Sequence, residues 1–399
     1  MYISILGRQP ALGAAELERL YGADATRWLS SQSMIVSTDL FNFEQLGGSQ
    51  KAGRIVSEVA TSNWHSVSQQ VVSTYLREWA GHEGKITLGI SAYGFGKVTV
   101  RDVQKTGIIL KQKLRAHGVS LRLIPNTEAA LNTAASHHNK LGLSPNKVEL
   151  LIVCGSNGKV IIAQSVGSQN ITALAARDQA RPYTDAFVGM LPPKLARMMI
   201  NLTGTTSQKI SKQSGAANHI TLLDPFCGTG VVLQEALLLG LNAYGTDLSE
   251  KMVDYSTKNL DWLGQKYILA GKATVEHGDA MTHKWRGSVD LVACETYLGQ
   301  PFSAPPSLAK LTEVRGNCNH IIGEFLRNIS PQITPGTSLC IAVPAWRDAT
   351  GRFTHLPLIG KLDELGFDRH HFSHINDSDL LYYRENQVVA RELLVLVKR

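Results

Sequence analysis

From residue 219 onward, short apolar runs and helical patterns take turns with a regularity that leaves few folds open to the chain. The run 219–224 ends in an acid, and DPFCGTG carries it into a helical pattern at 231–239. A second strand reads at 242–247, a second helix at 249–263, and further strands at 273–277, 289–294 and 338–344. Strands separated by helices need crossover connections and so lie parallel, which predicts an α/β fold with a doubly wound sheet. The apolar runs 371–375 and 392–398 then read as an antiparallel hairpin at its end.

The first third mixes the same signals without that rhythm. Strands read at 2–6, 35–37, 85–92 and 120–123, and helices at 13–21, 64–79, 103–117 and 127–141. Trp64, Val67, Val71, Tyr75 and Trp79 fall close to helical spacing. The runs 148–154 and 159–166 flank Ser-Asn-Gly, a tight-turn signal for a hairpin. This is the pattern of an α+β module reaching to about residue 165. Because 399 residues are more than twice a typical domain of about 150, at least two domains are expected. Between them, 166–205 bunches Arg, Asp and Pro in ARDQARPY and MLPPKLARMMINL. It reads as a linker with a leading helix, whose first turn takes Pro192 and Pro193.

Hydrophobic residues at 43% and charged residues at 18% fit a globular chain and exclude a disordered or coiled-coil one. Apolar stretches such as 231–241 are broken by Gln234 and Glu235 and fall short of the roughly 18 residues of a membrane span. The opening residues show no basic region ahead of an apolar run, so the expectation is a cytoplasmic protein without a signal peptide or a membrane partner. Cys154, Cys227, Cys294, Cys318 and Cys340 are odd in number and lack a CxxC pair, so buried thiols are expected and no metal site. The net charge of +7 favours an anionic partner, and it is concentrated, since residues 94–124 hold seven bases against one acid. Lys97, Arg101, Lys105, Lys111, Lys113 and Arg115 of this stretch are candidate RNA-phosphate contacts, the alternative being a solvated helix face.

The motif that carries chemistry is Asp224-Pro225-Phe226-Cys227-Gly228-Thr229-Gly230, at a strand-to-helix turn. Small residues there let a ligand approach the backbone at the carboxyl edge of the sheet. Asp247 ends the next strand 23 residues later, where a carboxylate reaches both ribose hydroxyls of an adenine nucleoside. Asp279, followed by Ala280 after the third strand, is placed to accept from an adenine amine. A dinucleotide site needs a third glycine, which Val231, Val232 and Leu233 do not supply. The expected cofactor is therefore S-adenosyl-L-methionine, held by Asp224, Pro225, Phe226, Gly228, Gly230, Asp247, Asp279 and Ala280.

The segments LLDPFCGTG, GTDLS and HGDA, with the fourth-strand segment, resemble the amino-methyltransferases among the class I Rossmann-like enzymes. With RDQARPY and MLPPKLARMMINL ahead of them and GRQPALGAAEL at the start, the chain is similar over nearly its whole length to the THUMP-domain tRNA guanine-N2-methyltransferases, archaeal and eukaryotic enzymes of guanosine 10. The resemblance implies a ferredoxin-like and THUMP-like tRNA-binding portion over 1–165 and a Rossmann-fold methyltransferase domain over 206–399. It also implies direct methyl transfer to the exocyclic N2 of a tRNA guanine, with no metal; whether a small activating protein subunit takes part stays open. At strand four the family has Asp or Asn, two prolines and an aromatic residue, whereas this chain has Glu295-Thr296-Tyr297-Leu298-Gly299.

That chemistry wants a hydrogen-bond acceptor and a stacking ring, because the amine's lone pair is delocalised into the base. Glu295 and Tyr297 are the catalytic candidates for those roles. On this reading Glu295→Gln keeps part of the activity, and Glu295→Asp with Thr296→Pro and Tyr297→Pro preserves turnover. Arg177, Asp178 and Arg181 are expected to fasten the linker rather than to touch phosphate, Lys194 and Arg197 to face RNA or solvent, and Tyr382, Tyr383 and Arg384 to pack in the core, the alternative being that they flank the target base. Two other readings stay open: a catalytically inactive RNA-binding homologue, and an amino-methyltransferase acting on DNA or another RNA. The linker motifs favour tRNA over DNA.

Overall fold

The computed structural model describes residues 1–185, 191–204 and 220–399, which fall into two compact units. The first comprises Met1–Pro10, Tyr21–Glu44 and Ser49–Ala173; the second comprises Ala11–Leu20, Gln45–Gly48 and Leu174–Arg399. His219 of the expected first strand, Met190 at the head of MLPPKLARMMINL, and the expected domain start at 206 lie outside the described residues.

In the first unit eight strands form one sheet: β1 (Tyr2–Leu6), β2 (Thr26–Ser30), β3 (Ser33–Val36), β4 (Ser49–Val59), β5 (Lys85–Tyr93), β6 (Ser120–Leu123), β7 (Lys147–Cys154) and β8 (Val160–Ser168). Their order is β2-β3-β1-β4-β8-β7-β5-β6, with β5 parallel to β6 and β7 and the β7–β8 hairpin antiparallel. β4 escaped the sequence reading because its SQKAGRIVSEV has little apolar alternation. It lies centrally, with the buried Lys51 ammonium donating to Glu149 of β7 and to the Leu131 carbonyl at 2.7 Å. The helix Trp64–Trp79 starts where the Asn63 side chain accepts from Ser66 N–H, and it buries Val67, Val71, Tyr75 and Trp79.

The helix Val100–Ala116 opens on a capping box, Thr99 and Asp102 each accepting the other's backbone N–H. It buries Val103, Leu110 and Leu114, so its bases point outward. The helix expected at 127–141 shrinks to Thr133–His138. Asn132 caps it by accepting from Ala135 N–H at 2.8 Å, and Leu131 N–H is taken by Ser91 Oγ at 2.8 Å.

The second unit carries β9 (Thr221–Asp224), β10 (Asn242–Asp247), β11 (Ala273–His277), β12 (Leu291–Glu295), β13 (Ser338–Arg347), β14 (Phe353–Thr354), β15 (Phe367–Arg369), β16 (Leu381–Tyr382) and β17 (Val389–Lys398). Their order is β11-β10-β9-β12-β13-β17-β15, with β14 beside β13 and β16 beside β17. β9 to β13 are parallel, β17 runs antiparallel to β13, and β15 antiparallel to β17. β13 is buried along all but its last residue, as a strand covered on both faces must be.

A helix that the sequence reading missed, Leu308–Ile329, lays Val314, Cys318, Ile322, Phe325, Leu326 and Ile329 on this core. Each such aliphatic or aromatic side chain contributes about 1.5–3 kcal/mol on burial. The strand expected at 371–375 is absent, because the N–H groups of Ser373 and His374 donate instead to the Glu18 carboxylate at 2.5 and 3.0 Å. Glu16, on the same helix Pro10–Tyr21, accepts from Gly47 N–H, Gly48 N–H and the Asn201 amide within the same unit. All five cysteines are buried and unpaired. No described helix is long and apolar enough to cross a membrane, and the described residues hold no cluster of three metal-ligating side chains.

Candidate active site

Strand order reverses at β9, which has β10 on one side and β12 on the other. Such a switch point leaves a crevice at the carboxyl ends of the strands. Here the crevice is a cavity of about 510 Å³. Among the site candidates read from the sequence outside the basic stretch, all but Gly230 line it.

Gly230 shapes the turn: its φ is 82°, and a Cβ there would lie 2.3 Å from Ser256 Oγ, so only glycine fits. Gly228, at φ 50°, turns its N–H onto Asp247 Oδ2 at 2.9 Å, while Ser249 N–H donates to Asp247 Oδ1 at 2.9 Å. Both Asp247 oxygens are thus fixed from behind, and each keeps a lone pair for a ligand. Asp279 is fixed in the same way by Met281 N–H at 2.9 Å.

Asp224 is buried and accepts from Phe226 N–H at 3.1 Å. Burial pushes its carboxyl well above the usual carboxylate range against that hydrogen bond, and the charges of Asp247 and Glu295 push it further.

Glu295 ends β12 on the cavity wall, and its Oε1 accepts from Arg391 Nε–H of β17. Thr296 is buried; its N–H and Oγ–H both donate to the Ala342 carbonyl, at 3.0 and 2.9 Å, so the β12–β13 ladder runs one residue past Glu295. Tyr297 stands at the rim, 43% exposed, where a flat ligand has access to its ring.

Arg391 and Thr296 were missed from the sequence, although a charged pair, Arg391-Glu392, inside an apolar strand signals buried partners. Arg197, expected to face RNA or solvent, turns to Glu235 instead. The fully buried Glu235 carboxylate holds Arg177 at 2.5 Å and Arg197 at 2.7 Å, tying the helices Ile171–Gln179 and Pro193–Leu202 to Val231–Leu238. Tyr382 is buried.

In the first unit, Lys97, Lys105 and Lys113 line a cleft of about 1020 Å³ that also takes Trp64 and Phe95, edge to face at 5.3 Å. Arg101, Lys111 and Arg115 are exposed and lie outside that cleft.

Residues 181–322 match the family described as RMKL-like, methyltransferase domain. A tRNA (guanine(10)-N2)-dimethyltransferase of Methanothermobacter thermautotrophicus is 30% identical over 173 residues, 43% of this chain and 44% of that protein. Its namesake from Pyrococcus abyssi is 43% identical over 96 residues, 24% of this chain and 25% of that protein. The chain therefore spans less than half the length of the curated relatives it matches. The crystal structure of TrmN from Thermus thermophilus covers 100% of this chain and 99% of its own, with a TM-score of 0.52 at 16% identity, a likeness of fold. The fold is thus like that of the TrmN structure, and residues 181–322 are similar to the RMKL-like methyltransferase domain.

Proposed function

We propose that the protein transfers a methyl group from S-adenosyl-L-methionine to the exocyclic N2 amine of a guanine in tRNA, at position 10, and that it works on the cytoplasmic tRNA pool. The observation that carries this reading is the convergence of Asp224, Asp247, Asp279 and Glu295, from neighbouring strand ends, on one cavity. Its size is that of a nucleoside-sized ligand site. The residues fit that cofactor: Asp247, its two oxygens anchored from behind, would accept from the ribose hydroxyls, Asp279 would accept from the adenine amine, and the glycine turn would take the amino-acid end.

S-adenosyl-L-methionine, when bound, would supply an electrophilic sulfonium methyl group with a neutral thioether as its leaving group. Glu295 accepts an N–H of the amine, draws its lone pair out of the base and takes up the departing proton. Tyr297 stacks on the extruded base. The first unit serves as a THUMP-like tRNA-binding portion, its lysine-lined cleft meeting phosphates.

One observation favours a second reading, a binding protein without catalysis: Glu295 is already engaged by Arg391. A transfer assay with radiolabelled cofactor on tRNA transcripts, followed by nucleoside mass spectrometry, decides between them. N2-methylguanosine is expected; a wild type that binds both ligands and transfers nothing overturns the enzyme reading. In calorimetry, Asp247→Ala should weaken cofactor binding by about 10- to 100-fold through two lost hydrogen bonds, and unchanged affinity would overturn the cofactor placement.

A further inference from the structure

Glu295 carries one methylene more than the Asp or Asn of the family pattern, and no proline follows it. An extra rotatable bond spreads the carboxylate over more rotamers, so its aim has to be set by another residue. Three carboxylates, Asp224, Asp247 and Asp279, ring the same cavity, and no lysine or arginine lines it among the described residues. Carboxyl groups gathered in one cavity disfavour one another's ionised form, and a cation behind Glu295 offsets that.

Arg391 is that cation. β13 separates its strand from that of Glu295: Glu295 lies opposite Ala342, and two residues on, Pro344 lies opposite Arg391. The guanidinium Nε–H donates to Glu295 Oε1, and the two side chains are only 11% and 15% exposed. Glu295 Oε2 has no partner among the described residues, and the side chain lines the cavity.

We propose that Arg391 is a positioning residue for methyl transfer, holding Oε1 of Glu295 from β17 so that Oε2 faces the cavity as the acceptor for the amine of the target base. The role rests on the function proposed above. It also reverses one expectation from sequence. Arginine offers only donors, so in Glu295→Gln the amide oxygen turns to Arg391 and the NH₂ turns to the amine, donor against donor. Glu295→Gln then falls with Glu295→Ala.

The test uses the full chain and measures turnover, KM for a tRNA transcript, cofactor affinity and melting temperature. The variants are Glu295→Ala, Glu295→Gln, Arg391→Met, Arg391→Lys and Glu295→Ala with Arg391→Met. Arg391→Met should lower kcat about ten- to hundredfold while KM and cofactor affinity stay within about twofold. Arg391→Lys should recover part of the loss, and it stands in if the methionine variant fails to fold. The double variant should be no slower than Glu295→Ala alone, because Arg391 acts through Glu295. Additive losses, a loss confined to cofactor affinity, or a Glu295→Gln markedly faster than Glu295→Ala would each overturn the role. A wild type that methylates no tRNA overturns the function reading and this role with it, whereas an active wild type with additive variants overturns Arg391's role alone.

Discussion

Asp224 sits where a carboxylate is poorly solvated, next to two others. Its folded-state pKa is raised above the ordinary 3.8, so the neutral form is the one the fold favours. Stability from this group is present below the unfolded value and is lost as pH rises through the raised folded value. Asp224→Asn keeps an oxygen for Phe226 N–H and removes the charge. It should melt above wild type near neutral pH, and that advantage should shrink to nothing as pH falls to about 4. Melting curves across that range check this, and a gap independent of pH would exclude the mechanism. Residues of this kind were legible in the sequence, because Asp224, Asp247 and Asp279 follow from the direction of a local strand. Arg391 was not, because its partner lies 96 residues away and meets it only once β13 has been laid between them.

Elements show the same division. β10 and β11 are short runs bounded by an acid or a glycine, and their ends in the structure match their ends in the sequence pattern. The helix Leu308–Ile329 went unread because Lys310, Glu313, Arg315 and Asn317 interrupt an apolar stripe that only the folded helix gathers onto one face. The turn after β12 is where reading by resemblance misleads. Thr296 sends both its N–H and its hydroxyl to the Ala342 carbonyl, and proline offers neither. Rebuilding the family loop by Glu295→Asp, Thr296→Pro and Tyr297→Pro should therefore cost about 1–3 kcal/mol of stability and transfer methyl more slowly than Glu295→Asp alone. Urea melts and the transfer assay compare the two; an unchanged midpoint would show that the ladder does not need this rung.

Across the whole molecule the positive charge is unevenly placed, and the structure divides it more finely than the sequence does. Lys105 and Lys113, about 80° apart round the helix, line the cleft with Lys97, whereas Lys111 and Arg115 lie about 120–160° round from the direction midway between them. Replacing Lys97, Lys105 and Lys113 by Gln should lower the slope of tRNA affinity against salt by about two to three, since each lost phosphate contact keeps back about one counterion. Lys111→Gln with Arg115→Gln should change it by less than about one. Equal changes from the two sets, in filter binding over a salt series, would place RNA on both faces.

The helix Pro10–Tyr21 is synthesised well before the last of the groups that satisfy it. Glu16 finds the N–H groups of Gly47 and Gly48 only 31 and 32 positions on, whereas Glu18 waits for N–H groups 355 and 356 positions further on. At about 5–20 residues per second on a ribosome, that is a delay of tens of seconds. Throughout it, the Glu18 carboxylate, buried once the protein has folded, lacks those two donors. The second unit therefore closes between segments 355 positions apart, and a nascent copy carries Glu18 without its backbone donors until the later segment arrives.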